Sequence, residues 1–171
     1  GTNWVNAYSD LQLAISTANV GDEIWVAKGI YSPGALATST FNLKDGVKIY
    51  GGFAGNETTV DQRVTGENKL YTINETILKG ANINQHVVYN STAVNSNTVL
   101  DGFTITGGKT HGLGSTIQSN GAGIANTAGT PIFRNLWVKD NVAFALGAGI
   151  YNTSGATFFN LIVENNSITG N

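Results

Sequence analysis

Cysteine and methionine are absent from the chain, proline occurs twice, and charged residues make up only 12%. Without cysteine there is no disulfide framework and no thiolate metal site. The sparse charge, with a formal net charge of −2, lacks the basic footprint that a nucleic-acid partner needs. No apolar run approaches the roughly 20 residues of a membrane-spanning helix, so direct membrane insertion is not expected. The chain begins at Gly1, with no initiator methionine and no remaining signal peptide, and reads as a processed or excised piece. It stops at Ser167-Ile168-Thr169-Gly170-Asn171, just after a repeat-like segment, so the native chain is expected to continue. What is present is 22 glycines and a polarity drawn from Asn, Thr and Ser. Those residues suit tight turns and stacked strands better than long helices. A length of 171 residues is enough for one domain with a substantial core.

One segment reads as a helix. Ser9 or Asp10 can cap it, and Leu11, Ala14, Ile15 and Ala18 recur at helical spacing, with Gly21 as its stop. Glu23-Ile24-Trp25-Val26-Ala27 follows as a short strand, and the rest reads as strand and turn. The helix is expected to cap an open end of stacked strands.

The repeat is the main signal. Gly121-Ala122-Gly123-Ile124-Ala125-Asn126-Thr127 recurs 26 residues on as Gly147-Ala148-Gly149-Ile150-Tyr151-Asn152-Thr153. The strand that follows each copy, from Phe133 to Asn141 and from Phe158 to Asn166, repeats at 25, so one residue is lost near Pro131. A more diverged copy runs from His86 to Ser91 and from Leu100 to Gly108, before an insert at 109–120. Stacking the copies yields four apolar columns: Leu100, Phe133, Phe158; Phe103, Leu136, Leu161; Ile105, Val138, Val163; and Val88, Ile124, Ile150. Their alternation with mixed residues is that of half-buried strands, spaced by roughly 4.8 Å. Asn90, Asn126 and Asn152 form an amide column, and Asn135 and Asn160 another, with Gly102 at the equivalent place. Stacked amides bond along the column, and Asn tolerates the left-handed backbone of a corner. A row of sugar-binding amides is the functional alternative. The expected fold is all-β: a right-handed single-stranded parallel β-helix (solenoid) with an N-terminal amphipathic capping helix. It is read as one domain over 1–171, with the cap at about 1–22 and the coils at about 23–171.

Particular motifs resemble known proteins. Asp10-Leu11-Gln12-Leu13-Ala14-Ile15 and Gly21 to Tyr31 resemble the capping helix and first strand of pectate-lyase-like β-helix proteins. Val47-Lys48-Ile49-Tyr50-Gly51-Gly52-Phe53-Ala54-Gly55-Asn56-Glu57-Thr58, Asp61-Gln62-Arg63, and Val99 to Gly108 are similar to bacterial surface proteins with right-handed β-helix repeats. The glycine-rich coils resemble those of polymorphic outer-membrane adhesins. The resemblance spans essentially the whole chain. It implies export to the cell surface or the medium, and a C-terminal sorting or anchor domain beyond this piece. It does not specify an activity, because this fold carries many.

Candidate chemistry is limited. Lys79, Asp101 and Arg134 are expected to share one outward column. This reads either as a surface charge ladder or, on the alternative that the chain is part of a polysaccharide lyase or glycoside hydrolase, as a catalytic group with Arg134 or Lys79 as base. Arg63 is expected to pair with Glu57 or Asp61. His86, in the column of Ala122 and Ala148, and His111, in the insert, read as surface or turn residues without metal-ligand spacing. Gly112-Leu113-Gly114 and Gly121-Ala122-Gly123 are not phosphate loops, since no helix follows either. No cofactor is expected. The outward positions Thr104, Trp137 and Ile162, beside Phe159, form a candidate binding face for carbohydrate or protein, or one covered by a loop or a neighbouring domain. The leading expectation is a non-catalytic adhesin or stalk module.

Overall fold

The computed structural model describes residues 1–112 and 117–170. Leu113 and Gly114 of the insert, and the final Asn171, lie outside the described residues. The single α-helix among the described residues, α1 (Leu11–Thr17), is short. Its N-terminus is held by Asp10, whose carboxylate accepts from the Leu13 N–H at 3.0 Å. It ends four residues before Gly21. Ala18 turns to extended backbone, and the Thr17 hydroxyl donates to the Leu13 and Ala14 carbonyls. Gly21, at φ 94°, belongs instead to a turn closed by Asp22, so the expected helix stop is corrected. Leu11, Ala14, Ile15 and Ala18 are all buried, as the spacing predicts.

The rest is mostly parallel strand. In chain order the strands are β1 (Glu23–Ala27), β2 (Gly29–Tyr31), β3 (Phe41–Asn42), β4 (Lys48–Phe53), β5 (Thr76–Lys79), β6 (Val88–Asn90) and β7 (Val99–Asp101). There follow β8 (Thr104–Thr106), β9 (Ile124–Asn126), β10 (Ile132–Lys139), β11 (Val142–Ala143), β12 (Ile150–Asn152), β13 (Thr157–Glu164) and β14 (Ser167–Ile168). Among the described residues every strand pairing is parallel. One row runs β1-β4-β7-β10-β13 and a second β2-β5-β8-β10, with β10 long enough to bridge both. A third row, β3-β6-β9-β12, forms a separate sheet, and β11 pairs with β14.

Alternation sends one side chain in two to the interior. The first row aligns Ile24, Ile49, Leu100, Phe133 and Phe158; the second aligns Tyr31, Leu78, Ile105, Val138 and Val163; the third aligns Phe41, Val88, Ile124 and Ile150. These columns contain three of the four read from the repeat and extend each toward the N-terminus. Apart from Val163, which is exposed, they form one apolar core with Leu11 and Ile15 of α1. Phe133 and Phe158 stack at 5.3 Å between centroids. The residue lost between repeats falls in the corner after Asn126, so neither flanking ladder is disturbed.

Three amide ladders run beside the core. Asn90 donates to Asn126 at 2.8 Å, and Asn126 to Asn152 at 2.7 Å. Asn160 donates to Asn135 at 2.8 Å, both in left-handed backbone at φ 50° and 54°. Gly102, at φ 86°, takes that place one strand earlier, where a Cβ would stand 2.8 Å from the Tyr71 ring. The third ladder, Asn141 to Asn166 at 3.0 Å, was not read from the repeat. Asn90 and Asn126 are buried, whereas Asn152 at the end of the column is exposed.

Candidate functional site

The outward residues of the first row are Trp25, Tyr50, Asp101, Arg134 and Phe159, in that order. Residues 54–75, inserted between β4 and β5, fold across this row. Val60 packs with Trp4, Trp25, Tyr50, Phe53, Val99 and Ile132 in a second apolar cluster. Arg63 is carried onto the row itself. Its Nη2 lies 3.3 Å from Asp101 Oδ2, its Nη1 donates to the Gly51 carbonyl at 3.1 Å, and its Nε donates to Val60 at 3.2 Å. The guanidinium sits 4.1 Å from the Tyr71 ring centroid and 5.0 Å from that of Tyr50.

Asp101 is the centre of the arrangement. Its side chain is 1% exposed. Oδ2 also accepts from Arg134 Nε at 2.8 Å, and Oδ1 accepts from Asn135 Nδ2 at 2.8 Å. Two cations and an amide thus converge on one buried carboxylate. Burial raises the phenol pKa of Tyr50, reinforced by Glu23, and that of Tyr71, where Arg63 works the other way. Both rings stay neutral and serve as walls for Arg63.

Two sequence expectations change here. Arg63 pairs with Asp101, not with Glu57 or Asp61. Glu57 instead receives the backbone N–H groups of Ala54, Gly55 and Asn56 at 2.6, 2.9 and 3.0 Å. Burial opposes its ionisation, but the N–H groups of Ala54, Glu57, Gly55 and Asn56 outweigh this and hold its pKa below the usual range. Lys79 leaves the expected column. It aligns with Thr106 in the second row, while Asp101 aligns with Tyr50 and Arg134. The three residues are therefore not brought together.

The candidate face is divided. Trp137 lies between Thr104 and Ile162 by register. Its Nε1 donates to Glu164 at 2.9 Å, and Lys139 Nζ stands 3.4 Å from its ring centroid. Thr104, expected outward and accessible, is buried, and its hydroxyl donates to Glu75 at 2.6 Å. Residues 70–75 cover that end, leaving beside Trp137 a cavity of about 10 Å³, room for about one water. The other end stays open: Phe159 is 66% exposed, next to half-exposed Arg134.

His86 is buried rather than superficial. Its Nδ1 lies 3.0 Å from the Gly121 carbonyl and its ring 4.9 Å from Tyr89. Desolvation lowers its pKa, against the hydrogen bonds at Gly121 and Asn120. His111 is exposed. Among the described residues no three His, Cys, Asp or Glu side chains gather as a metal site, and no helix is long and apolar enough to cross a membrane.

No family model, no curated protein and no solved structure matches this chain.

Proposed function

We propose that the chain is a right-handed, single-stranded parallel β-helix, closed at one end by α1, and that it serves as a non-catalytic module of an exported cell-surface protein of adhesin or stalk type. The observation that carries this reading is the register. Three rows of parallel strands keep apolar on apolar in their inward columns, and asparagine meets asparagine between β6, β9 and β12 and between β10 and β13. Parallel neighbours need crossover connections, and these run right-handed in nearly all proteins. A stack tied by core and amide ladders is stiff, and it presents Trp137, Ile162, Phe159 and Arg134 on one outer face to carbohydrate or protein.

Asp101 favours a structural over a catalytic role. Both of its oxygens already accept hydrogen bonds from Arg63, Arg134 and Asn135. The candidate base Arg134 spends its Nε on that carboxylate, whereas a base for polysaccharide cleavage must reach a substrate proton. The test is a glycan-array and matrix-protein binding screen run beside polysaccharide-depolymerisation assays. The expected result is binding that weakens about tenfold or more when Trp137 and Phe159 are both changed to alanine, since exposed aromatics dominate such contacts. Depolymerisation that disappears in Arg134→Ala would overturn the reading in favour of a lyase or hydrolase fragment.

A further inference from the structure

At the end of the molecule opposite the open part of the Trp137 face, a groove of about 1060 Å³ runs along β1. Its size is at the upper end of ligand sites, which run to roughly 1,000 Å³. Residues 1–8 and 55–58 form one wall and α1 the other. The floor is a strand edge, because β1 begins its sheet and pairs with β4 alone among the described residues. Lys48 donates to the Asp22 carbonyl at 3.0 Å, and Lys28 donates to the Phe53 carbonyl at 2.7 Å. Main-chain groups on a strand alternate between its two sides. Residues 22, 24, 26 and 28 therefore face β4, and the peptide groups of Glu23 and Trp25 face the groove.

The lining has a sign as well as a shape. Its ionisable side chains, apart from two tyrosines, are Asp22, Glu23 and Glu57, with no lysine or arginine. On the other side of β1 the protein already meets this pattern with its own strand. Lys48 pairs with Glu23 at 3.5 Å, Ile49 lies beside Ile24, and Tyr50 lies beside Trp25. Stacking a sugar on Trp25 is the poorer fit, since one face of the indole is taken by Phe53 at 4.9 Å between ring centroids and Trp4 leans in at 6.4 Å.

We propose that this groove is a strand-accepting site, which binds an extended segment of another polypeptide along the outer edge of β1. The occupant carries lysine or arginine outward, near Glu23 and Glu57, and apolar residues inward, over Leu11, Ala14 and Val26. Main-chain hydrogen bonds to Glu23 and Trp25 supply affinity, and the alternating side chains supply selectivity. The site is independent of the outer face of Trp137 and Phe159, so either can fail without the other.

The experiment titrates three capped pentapeptides into the isotopically labelled chain, followed by amide NMR shifts and tryptophan fluorescence. The first has the sequence Lys-Ile-Tyr-Val-Lys, the second replaces both lysines with glutamate, and the third is the lysine peptide N-methylated at alternate amides. The expected result is saturable binding of the first, with shifts at Glu23, Trp25 and residues 55–58. The other two should bind about tenfold weaker or less, a difference of about 1.4 kcal/mol. Glu23→Lys, a change at an exposed position, should move the preference toward the glutamate peptide. Absence of saturable binding, equal binding of all three peptides, or shifts confined to other residues would overturn the proposal. So would a concentration-dependent dimer through β1 without peptide, or saturation by a neutral oligosaccharide in place of the peptide.

Discussion

The middle of the strand stack and its last strands, β12 and β13, are built from the same residue types, yet they are buried very differently. Ile105 and Val138 are fully buried, whereas Val163, next in the same column, is 51% exposed. Leu136 is buried and its neighbour Leu161 only partly so. The amides behave likewise: Asn126 has an asparagine on each side, and Asn152 has one on one side only. At the N-terminal end of the stack the difference is softened, because α1 lays Leu11 and Ile15 against the core and Val26 is buried. What a residue contributes in this molecule is thus set by whether a neighbour stands on both sides of it.

Paired substitutions can break that comparison. The largest effect is expected at Asp101. Asp101→Ala strands the buried Arg63 and should cost about 3–5 kcal/mol in urea or thermal unfolding. Glu164→Ala, at an exposed carboxylate of β13, should stay within about 0.5 kcal/mol. Next, Leu136→Ala should cost about 2–5 kcal/mol, and Leu161→Ala clearly less by the same measurement, because less surface leaves water when it packs. Equal losses at the two sites would show that position in the stack does not govern stability.

Asn126→Ala removes a buried amide and breaks its bonds to Asn90 and Asn152, at about 1–3 kcal/mol. Asn152→Ala, at the ladder's end, should cost about 1 kcal/mol or less. The smallest effect is pH-dependent. The folded state lowers the His86 pKa, so the unfolded chain binds the proton more readily. The stability His86 contributes is present above its unfolded pKa, roughly 6.5, and is lost as pH falls from there through the folded value. His86→Phe should flatten the unfolding free energy over that range.

Much of this organisation is legible in the sequence, for a physical reason. Wherever the repeat is tight, as between Gly121–Thr127 and Gly147–Thr153, alternation alone places Ile124 on Ile150 and Asn126 on Asn152. The third ladder was equally available, since Asn141 and Asn166 occupy the same place in the two copies. The charged junction was not. Arg63 reaches Asp101 across 38 residues from a segment that repeats nothing, so periodicity cannot locate it. The same insertion displaced Lys79. Its strand belongs with Thr104–Thr106 and not with Val99–Asp101, a distinction that needs the two rows to be told apart. Thr104 shows the limit of reading a face from one strand, for its cover comes from Glu75 in a loop between other strands.

The insertion at 54–75 also bears on how such a molecule changes over generations. Its two flanks meet where the Gly52 N–H donates to the Thr76 hydroxyl at 2.9 Å. A loop whose ends are already adjacent can lengthen or shorten at little entropic cost. The corner after β4 can therefore change in length at its exposed positions, while Arg63 on Asp101, Val60 in the second apolar cluster and Glu75 on Thr104 fasten it to the strands. Lineages can rewrite the outer surface there while the interior columns stay as they are.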